Sequence, residues 1–171
     1  IELLGITTTF GNGSGEQVYQ QTIRLAKSLS LNIPINQGEI FAGESPNTPA
    51  ARFLVEMVNA FPHQITLLAA GPVGNLQAAS TLDAGFYTKL KRILAMGGYL
   101  GMSPHVDPHK GLKLGYRYLH ELNFSANPAA ARGMLLAGCP VTIFPGNTCL
   151  DAPYTFKDIH EARWWPRKFR H

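Results

Sequence analysis

The stretch that decides the fold reads RILAMGG at residues 92–98. Its first five residues are mostly apolar, which is typical of a strand buried in a sheet. The pair Gly97-Gly98 then lets the backbone turn sharply, at the end of a strand, where open α/β sheets place their ligands. We therefore expect a strand at Arg92–Met96 with a ligand crevice at its carboxyl end.

Polar residues return to this crevice after a loop that is punctuated by glycine and proline. The segment ELNFSANP at residues 121–128 carries Glu121 and Asn123 two residues apart. In an extended chain, residues i and i+2 point the same way, so both side chains would face the crevice. A carboxylate that accepts and an amide that donates and accepts can hold a polyhydroxyl ligand such as a sugar. The alternative is a surface loop whose polar residues cap the next helix.

Strand and helix patterns alternate along the chain. Apolar or β-branched runs predict strands at residues 2–10, 31–35, 65–70, 92–96 and 141–144. Apolar residues at helical spacing and local capping signals predict helices at residues 16–30, 49–61, 73–82, 83–90 and 128–138. This alternation predicts an α/β fold with an open, mainly parallel sheet that is flanked by helices.

Three of the helices carry a start signal. Thr48 and Asn127 each precede a proline, and a capping side chain followed by proline at the first helical position is a favoured start. Thr155 is predicted to cap a last helix, with Asp158 in its first turn.

The composition predicts one soluble domain over residues 1–171, because 45% of the 171 residues are apolar. No apolar run approaches the roughly 20 residues of a membrane span, and no signal peptide is recognisable. Cys139 and Cys149 are isolated and form no metal-type pair, which favours reduced thiols in a cytoplasmic protein. The chain begins at Ile1 inside a strand-like run, so we expect both ends to be cut.

The net charge of +4 is concentrated near the C-terminus. Basic and aromatic residues alternate there: Arg163, Trp164, Trp165, Arg167, Lys168, Phe169 and Arg170. Such a pattern can bind nucleic acid. An amphipathic helix that packs on another part of the protein is the preferred interpretation, so nucleic acid is not an expected partner.

Other chemistry has little support in the sequence. The glycine-rich GNGSG at residues 11–15 lacks the third glycine of a dinucleotide fingerprint, because Glu16 stands there. His105 and His109 are separated by Pro108, which disfavours a shared helical face for a metal site. A serine nucleophile elbow is absent as well.

Four stretches, in the same order and spacing, resemble the inosine-uridine-preferring nucleoside hydrolases. They are ELLGITTTFGN at residues 2–12, FLVEMVNAFPHQITLLAAGPVGNLQAA at 53–79, RILAMGGYL at 92–100 and ELNFSANPAAARGMLLAGCPVTI at 121–143. The resemblance implies a Rossmann-like α/β fold, here incomplete, and a role in purine or pyrimidine nucleoside catabolism. It implies hydrolysis of the N-glycosidic bond of a ribonucleoside, a calcium ion that activates water, and a homo-oligomer.

The resemblance also implies roles for single residues. Asn12 matches the asparagine that ends the family's first quoted motif and faces the active site. Glu121 and Asn123 match the residues that hold the ribose hydroxyls. Met96 lies about where the family offers a backbone carbonyl to calcium, and Asn75 matches a turn residue with an expected structural role.

Several family features fall outside these 171 residues or are changed. The aspartate-rich calcium motif would precede Ile1, and a His-Asp pair would follow the chain. A further family asparagine falls near Gly115 and is missing, while ELNF replaces the commoner EFNI. The resemblance therefore implies that this chain alone holds calcium weakly and is inactive, so we assign no catalytic residue. A non-catalytic nucleoside- or sugar-binding module, or an interaction module, remains the alternative. The absent first strand is expected to leave the edge of residues 2–10 unpaired, which favours aggregation.

Overall fold

Strands and helices alternate in this computed structural model, which describes residues 2–41, 45–99 and 121–150, together with Thr155 and Asp158. The elements are β1 (Ile6–Thr7), α1 (Gly15–Ser28), β2 (Ile35–Asn36), α2 (Pro49–Ala60), β3 (Thr66–Ala69), α3 (Gly74–Leu82), β4 (Arg92–Met96), α4 (Leu122–Ser125), α5 (Pro128–Leu135), β5 (Val141–Phe144) and α6 (Gly146–Leu150). A short 3-10 turn at Tyr87–Lys89 precedes β4.

The strands form two sheets, and both are parallel. β1 pairs with β2, with Ile6 opposite Ile35. β4 lies between β3 and β5, so that Ile93 stands opposite Leu67 on one side and Val141 on the other. Within the described residues, no strand pairing joins β1 to β3. The predicted α/β class with an open, mainly parallel sheet is confirmed.

The core covers one face of the three-stranded sheet. Leu67, Ala69, Ile93 and Ala95 are buried there in one cluster with side chains of α2, α3 and α5. The opposite face is less covered, and Leu68 is 73% exposed. The nearly continuous apolar run of β3 is typical of a strand covered on both faces. For the described residues that expectation is wrong.

Two predicted strands differ from those in the structure. Of the strand predicted at residues 2–10, only β1 is paired as a strand. Beyond β1, the backbone N–H groups of Thr8 and Phe10 still donate to the carbonyls of Asn36 and Glu39. β2 begins at Ile35 and not near residue 31. The cause is the end of α1, where the Leu31 N–H turns back to the Ala26 carbonyl.

Two predicted helical or extended segments also differ. The helix expected at residues 83–90 is reduced to the 3-10 turn, because the Asp83 carboxylate accepts the Gly85 N–H and holds a tight turn. The segment after residue 121 is not extended but forms α4. α6 was not predicted from the sequence.

The predicted helix starts are confirmed. The Thr48 hydroxyl accepts the Ala51 N–H at 3.1 Å, and the Asn127 side chain accepts the Ala130 N–H at 3.0 Å. At the last predicted start, the Asp158 N–H donates to the Thr155 hydroxyl at 3.4 Å, and the Thr155 N–H donates to the Asp158 carboxylate at 2.6 Å. The rest of that helix lies outside the described residues.

No helix in the described ranges is long and apolar enough to cross a membrane. His105, His109 and the basic aromatic segment at residues 163–170 lie outside those ranges, so the interpretations given for them are not tested.

Candidate functional site

The turn after β4 is the base of the site. Gly98 has a φ of 70°, a left-handed conformation that favours glycine. The ring of Phe124 packs directly on Gly97, where any Cβ would collide with it. The Gly146 N–H also donates to the Gly98 carbonyl at 2.8 Å. These contacts fix α4 and the start of α6 at the carboxyl end of β4.

Glu121 caps α4 and joins it to the turn. Its Oε1 accepts the Asn123 N–H at 2.6 Å, and its Oε2 accepts the N–H groups of Gly98 at 2.8 Å and Phe124 at 2.9 Å. The capping alternative from the sequence therefore describes part of what Glu121 does. A carboxylate offers about four acceptor sites, and donors among the described residues use three of them, which leaves about one on Oε1 with respect to those residues.

Asn123 connects α4 to the last residue of β4. Its Nδ2 donates to the Met96 carbonyl at 3.0 Å and lies 3.0 Å from the Met96 Sδ. The side chain is buried, and its Oδ1 makes no hydrogen bond to another described residue. The side chains of Glu121 and Asn123 therefore both lie at the end of β4, but the backbone that carries them is not extended throughout. Glu121 is extended, whereas Asn123 lies inside a helix. Their role in holding a sugar stays a prediction.

Asn12 follows β1 and is exposed at the rim of the same region. A Cβ built on the preceding residue, Gly11, would lie 3.4 Å from the Pro72 Cδ and 3.8 Å from a Leu122 methyl group. The loop that carries Asn12 thus borders α4 at Leu122, the residue between Glu121 and Asn123. Its contact with a substrate stays a prediction.

Asn75 has the structural role that the resemblance implies. Its side chain is 3% exposed. The Nδ2 donates to the Thr8 carbonyl at 2.8 Å, and the Oδ1 accepts the Glu39 N–H at 3.1 Å. Asn75 therefore connects the beginning of α3 to the segments that leave β1 and β2.

Glu39 is a buried acid that no sequence pattern predicted. It is 4% exposed and follows β2, at the same edge as the other candidate residues. A single acid in a polar loop carries no sequence signal for burial, because the burial arises from α3, which begins 35 residues later.

The described residues do not assemble a calcium site. Calcium prefers six to eight oxygen ligands, several of them carboxylates. The Met96 carbonyl accepts the Asn123 amide, and no group of three or more His, Cys, Asp or Glu side chains in the described ranges could hold a metal. The carbonyl of Met96 as a calcium ligand stays a prediction, and no chemical step is assigned through an ion.

A family model described as inosine-uridine preferring nucleoside hydrolase matches residues 1–170. The chain belongs to this family. Its members hydrolyse ribonucleosides and are generally metal-dependent.

Relatives agree with this assignment. Uridine nucleosidase 1 of Arabidopsis thaliana is 27% identical over 189 aligned positions, which cover 94% of this chain and 53% of the relative. The probable uridine nucleosidase 1 of Oryza sativa subsp. japonica is 25% identical, covering 95% of this chain and 56% of its own. The chain thus spans about half the length of the curated relatives it matches.

Solved structures share the fold. An inosine-guanosine nucleoside hydrolase has a TM-score of 0.75 at 20% identity, covering 99% of this chain and 62% of its own. A purine-preferring ribonucleoside hydrolase from Gardnerella vaginalis also has a TM-score of 0.75, at 21% identity, covering 91% of this chain and 56% of its own. At these identities the likeness establishes the fold alone.

Proposed function

We propose that the protein hydrolyses the N-glycosidic bond of a ribonucleoside and releases ribose and a free base. The observation that carries the proposal is the Glu121–Asn123 pair, fixed at the end of β4 in a chain of this family. The ribonucleoside is the proposed substrate. A single partial domain over residues 1–171, a cytoplasmic location and a homo-oligomer belong to the same proposal.

Glu121 and Asn123 suit the hydroxyl groups of ribose. The remaining acceptor site on Glu121 Oε1 and the Asn123 Oδ1 are two acceptors, and adjacent sugar hydroxyls are two donors. Backbone hydrogen bonds already hold both side chains, so little ordering remains when a sugar binds. Asn12, on the other side of the Gly11–Leu122 contact, is proposed to complete the grip.

The charge of Glu121 suits the reaction as well. Breaking the bond builds positive, oxocarbenium-like charge on the sugar, which a nearby carboxylate stabilises. We propose calcium as the metal, with the Met96 carbonyl as the contribution of this chain. As the resemblance implies, we expect the 171 residues alone to hold calcium weakly and to be inactive. Measurable hydrolysis of inosine or uridine by these residues would contradict that expectation.

Titration calorimetry with ribose and with inosine tests the sugar grip. We expect Asn123→Ala and Glu121→Gln each to weaken binding about tenfold, which is the typical effect of one hydrogen bond. Asn59→Ala is the control, because Asn59 is an exposed residue of α2. Equal affinities in the wild type and both variants would contradict the proposed grip.

A non-catalytic sugar- or nucleoside-binding module is the second candidate. The three backbone N–H groups that Glu121 accepts favour it, because a carboxylate held in this way is suited to binding. Mass spectrometry of the protein from its natural source separates the candidates. An aspartate-rich segment before Ile1 favours the hydrolase, whereas the mass of these 171 residues alone favours the binding module.

A further inference from the structure

The candidate crevice is bordered by two sheets that share no strand pairing within the described residues. The Asn12 loop leaves β1 of the first sheet. Met96, Glu121 and Asn123 belong to the carboxyl end of β4 in the second sheet. Contacts at the strand ends, together with α2, which contacts both β2 and α3, therefore determine the separation of Asn12 from the Glu121–Asn123 pair.

Asn75 lies at these strand ends. It belongs to the first turn of α3, which follows β3 of the second sheet. Its Nδ2 donates to the carbonyl of Thr8, just after β1, and its Oδ1 accepts the N–H of Glu39, after β2. One side chain thus ties the second sheet to both strands of the first.

The surroundings of this side chain leave it no room to move. Asn75 is 3% exposed, and a Cβ on Gly38 would collide with its amide group. A Cβ on Gly74 would collide with the carboxylate of Glu39. Because a buried amide must keep its hydrogen bonds, Asn75 has one favourable arrangement, with a bond to each strand end.

We propose that Asn75 is the positioning residue of the crevice. Its two hydrogen bonds set the separation between Asn12 and the Glu121–Asn123 pair, and through that separation the affinity for the sugar. The effect on affinity rests on the proposed function, whereas the effect on geometry does not.

The Gly11–Leu122 contact reports this separation directly. A Cβ on Gly11 would lie 3.8 Å from a Leu122 methyl group, so a nuclear Overhauser effect (NOE) is expected between the Gly11 Hα protons and the Leu122 methyls. Asn75→Asp replaces the donor to Thr8 with an acceptor and keeps the acceptor for Glu39. We expect this variant to lose that NOE and to bind ribose about tenfold more weakly.

The controls separate positioning from general damage. NOEs between Leu67 and Ile93, which are neighbours across β3 and β4, should persist in Asn75→Asp. Gln77→Glu makes the same amide-to-acid change on the same helix at an exposed residue, and it keeps the Oε1 that accepts from Asn127. Gln77→Glu should therefore retain both the Gly11–Leu122 NOE and the affinity for ribose.

An Asn75→Asp protein that keeps the Gly11–Leu122 NOE overturns the proposal, whether or not ribose binds. A wild type that binds no ribose contradicts the proposed function, and the NOE alone then decides the positioning role. If Asn75→Asp does not fold, hydrogen exchange in the wild type gives the answer. The side-chain amide protons of Asn75 should exchange about a hundredfold more slowly than those of exposed Asn12. Equal rates overturn the proposal.

Discussion

Tyr87 carries a buried phenol whose hydroxyl has no hydrogen-bond partner among the described residues. Its ring lies 5.2 Å from that of Phe86, centroid to centroid. Burial raises the pKa of Tyr87 to about 12, from its usual value of 10.0. Because the native state favours the neutral phenol, this contribution to stability is complete below pH 10 and is lost as the pH rises through about 12.

Replacing Tyr87 with phenylalanine should remove both the unpaired hydroxyl and this alkaline sensitivity. We expect Tyr87→Phe to raise the free energy of unfolding by about 0.5–1 kcal/mol at neutral pH. Between about pH 10 and 12 the gap to the wild type should widen, which urea unfolding at each pH can measure. Tyr19→Phe, in α1, is the control. An equal alkaline loss of stability in wild type and Tyr87→Phe would contradict the prediction.

Asp83 should make the stability of the protein depend on pH in the acidic range. The Lys89 ammonium group, 2.6 Å away, holds the pKa of Asp83 below its usual value of 3.8. The ion pair therefore contributes stability above that value, and the contribution is lost as the pH falls through the lowered native pKa. Both side chains are partly exposed, so we expect less than about 1 kcal/mol. Acid unfolding of Asp83→Asn against wild type, at low and high salt, measures it. An unchanged acid profile in Asp83→Asn would contradict this assignment.

At the scale of elements, substitutions of two glycines test how α4 packs on the turn after β4. Gly97→Ala would place a methyl group against the Phe124 ring, so α4 must shift. We expect a loss of about 2 kcal/mol of stability together with weaker ribose binding. Gly133→Ala, inside α5, meets nothing within 4 Å and should stabilise the protein by about 0.5–1 kcal/mol.

Denaturant unfolding and ribose titration of the two variants measure both effects. A Gly97→Ala protein as stable as the wild type would show that α4 is not fixed by the Phe124 contact.

Elements that the sequence predicted well are those that local signals define. β4 and β5 are apolar runs bounded by proline or glycine, and α2 and α5 begin with a capping side chain followed by proline. α4 was missed because it has four residues and depends on the Glu121 bond to Gly98, 23 residues away. The bounds of β1 and β2 were missed because pairing between strands sets them.

The same distinction applies to the candidate site. The residue pattern and the resemblance both selected Glu121 and Asn123, which the structure brings together, but the expectation of an extended chain gave the wrong backbone conformation for them. The two hydrogen bonds of Asn75 join it to Glu39, 36 residues away, and to Thr8, 67 residues away. No local pattern of residues predicts such pairings.

At the scale of the whole molecule, the exposed face of the three-stranded sheet should favour self-association. Leu68 is 73% exposed and Phe144 is 46% exposed on this sheet. Within the described residues, β1 also has a partner strand on one side only. Exposed apolar sheet surface and open strand edges promote association.

We expect Leu68→Lys to lower this association, measured by light scattering and sedimentation over a range of concentrations. Gln20→Lys, on exposed α1, is the control for added charge. A wild-type protein that stays monomeric at high concentration would contradict the prediction, and an equal effect of both substitutions would assign it to charge.

The hydrogen bond from Asn75 to Thr8 has a kinetic consequence. It closes a loop of 67 residues, whereas β3 and β4 pair across 26 residues. Closing the longer loop costs more chain entropy, so this bond is expected to form after the folding transition state. Changes at Asn75 should then accelerate unfolding and leave the folding rate nearly unchanged. The two sheets would separate at the crevice before either sheet is lost.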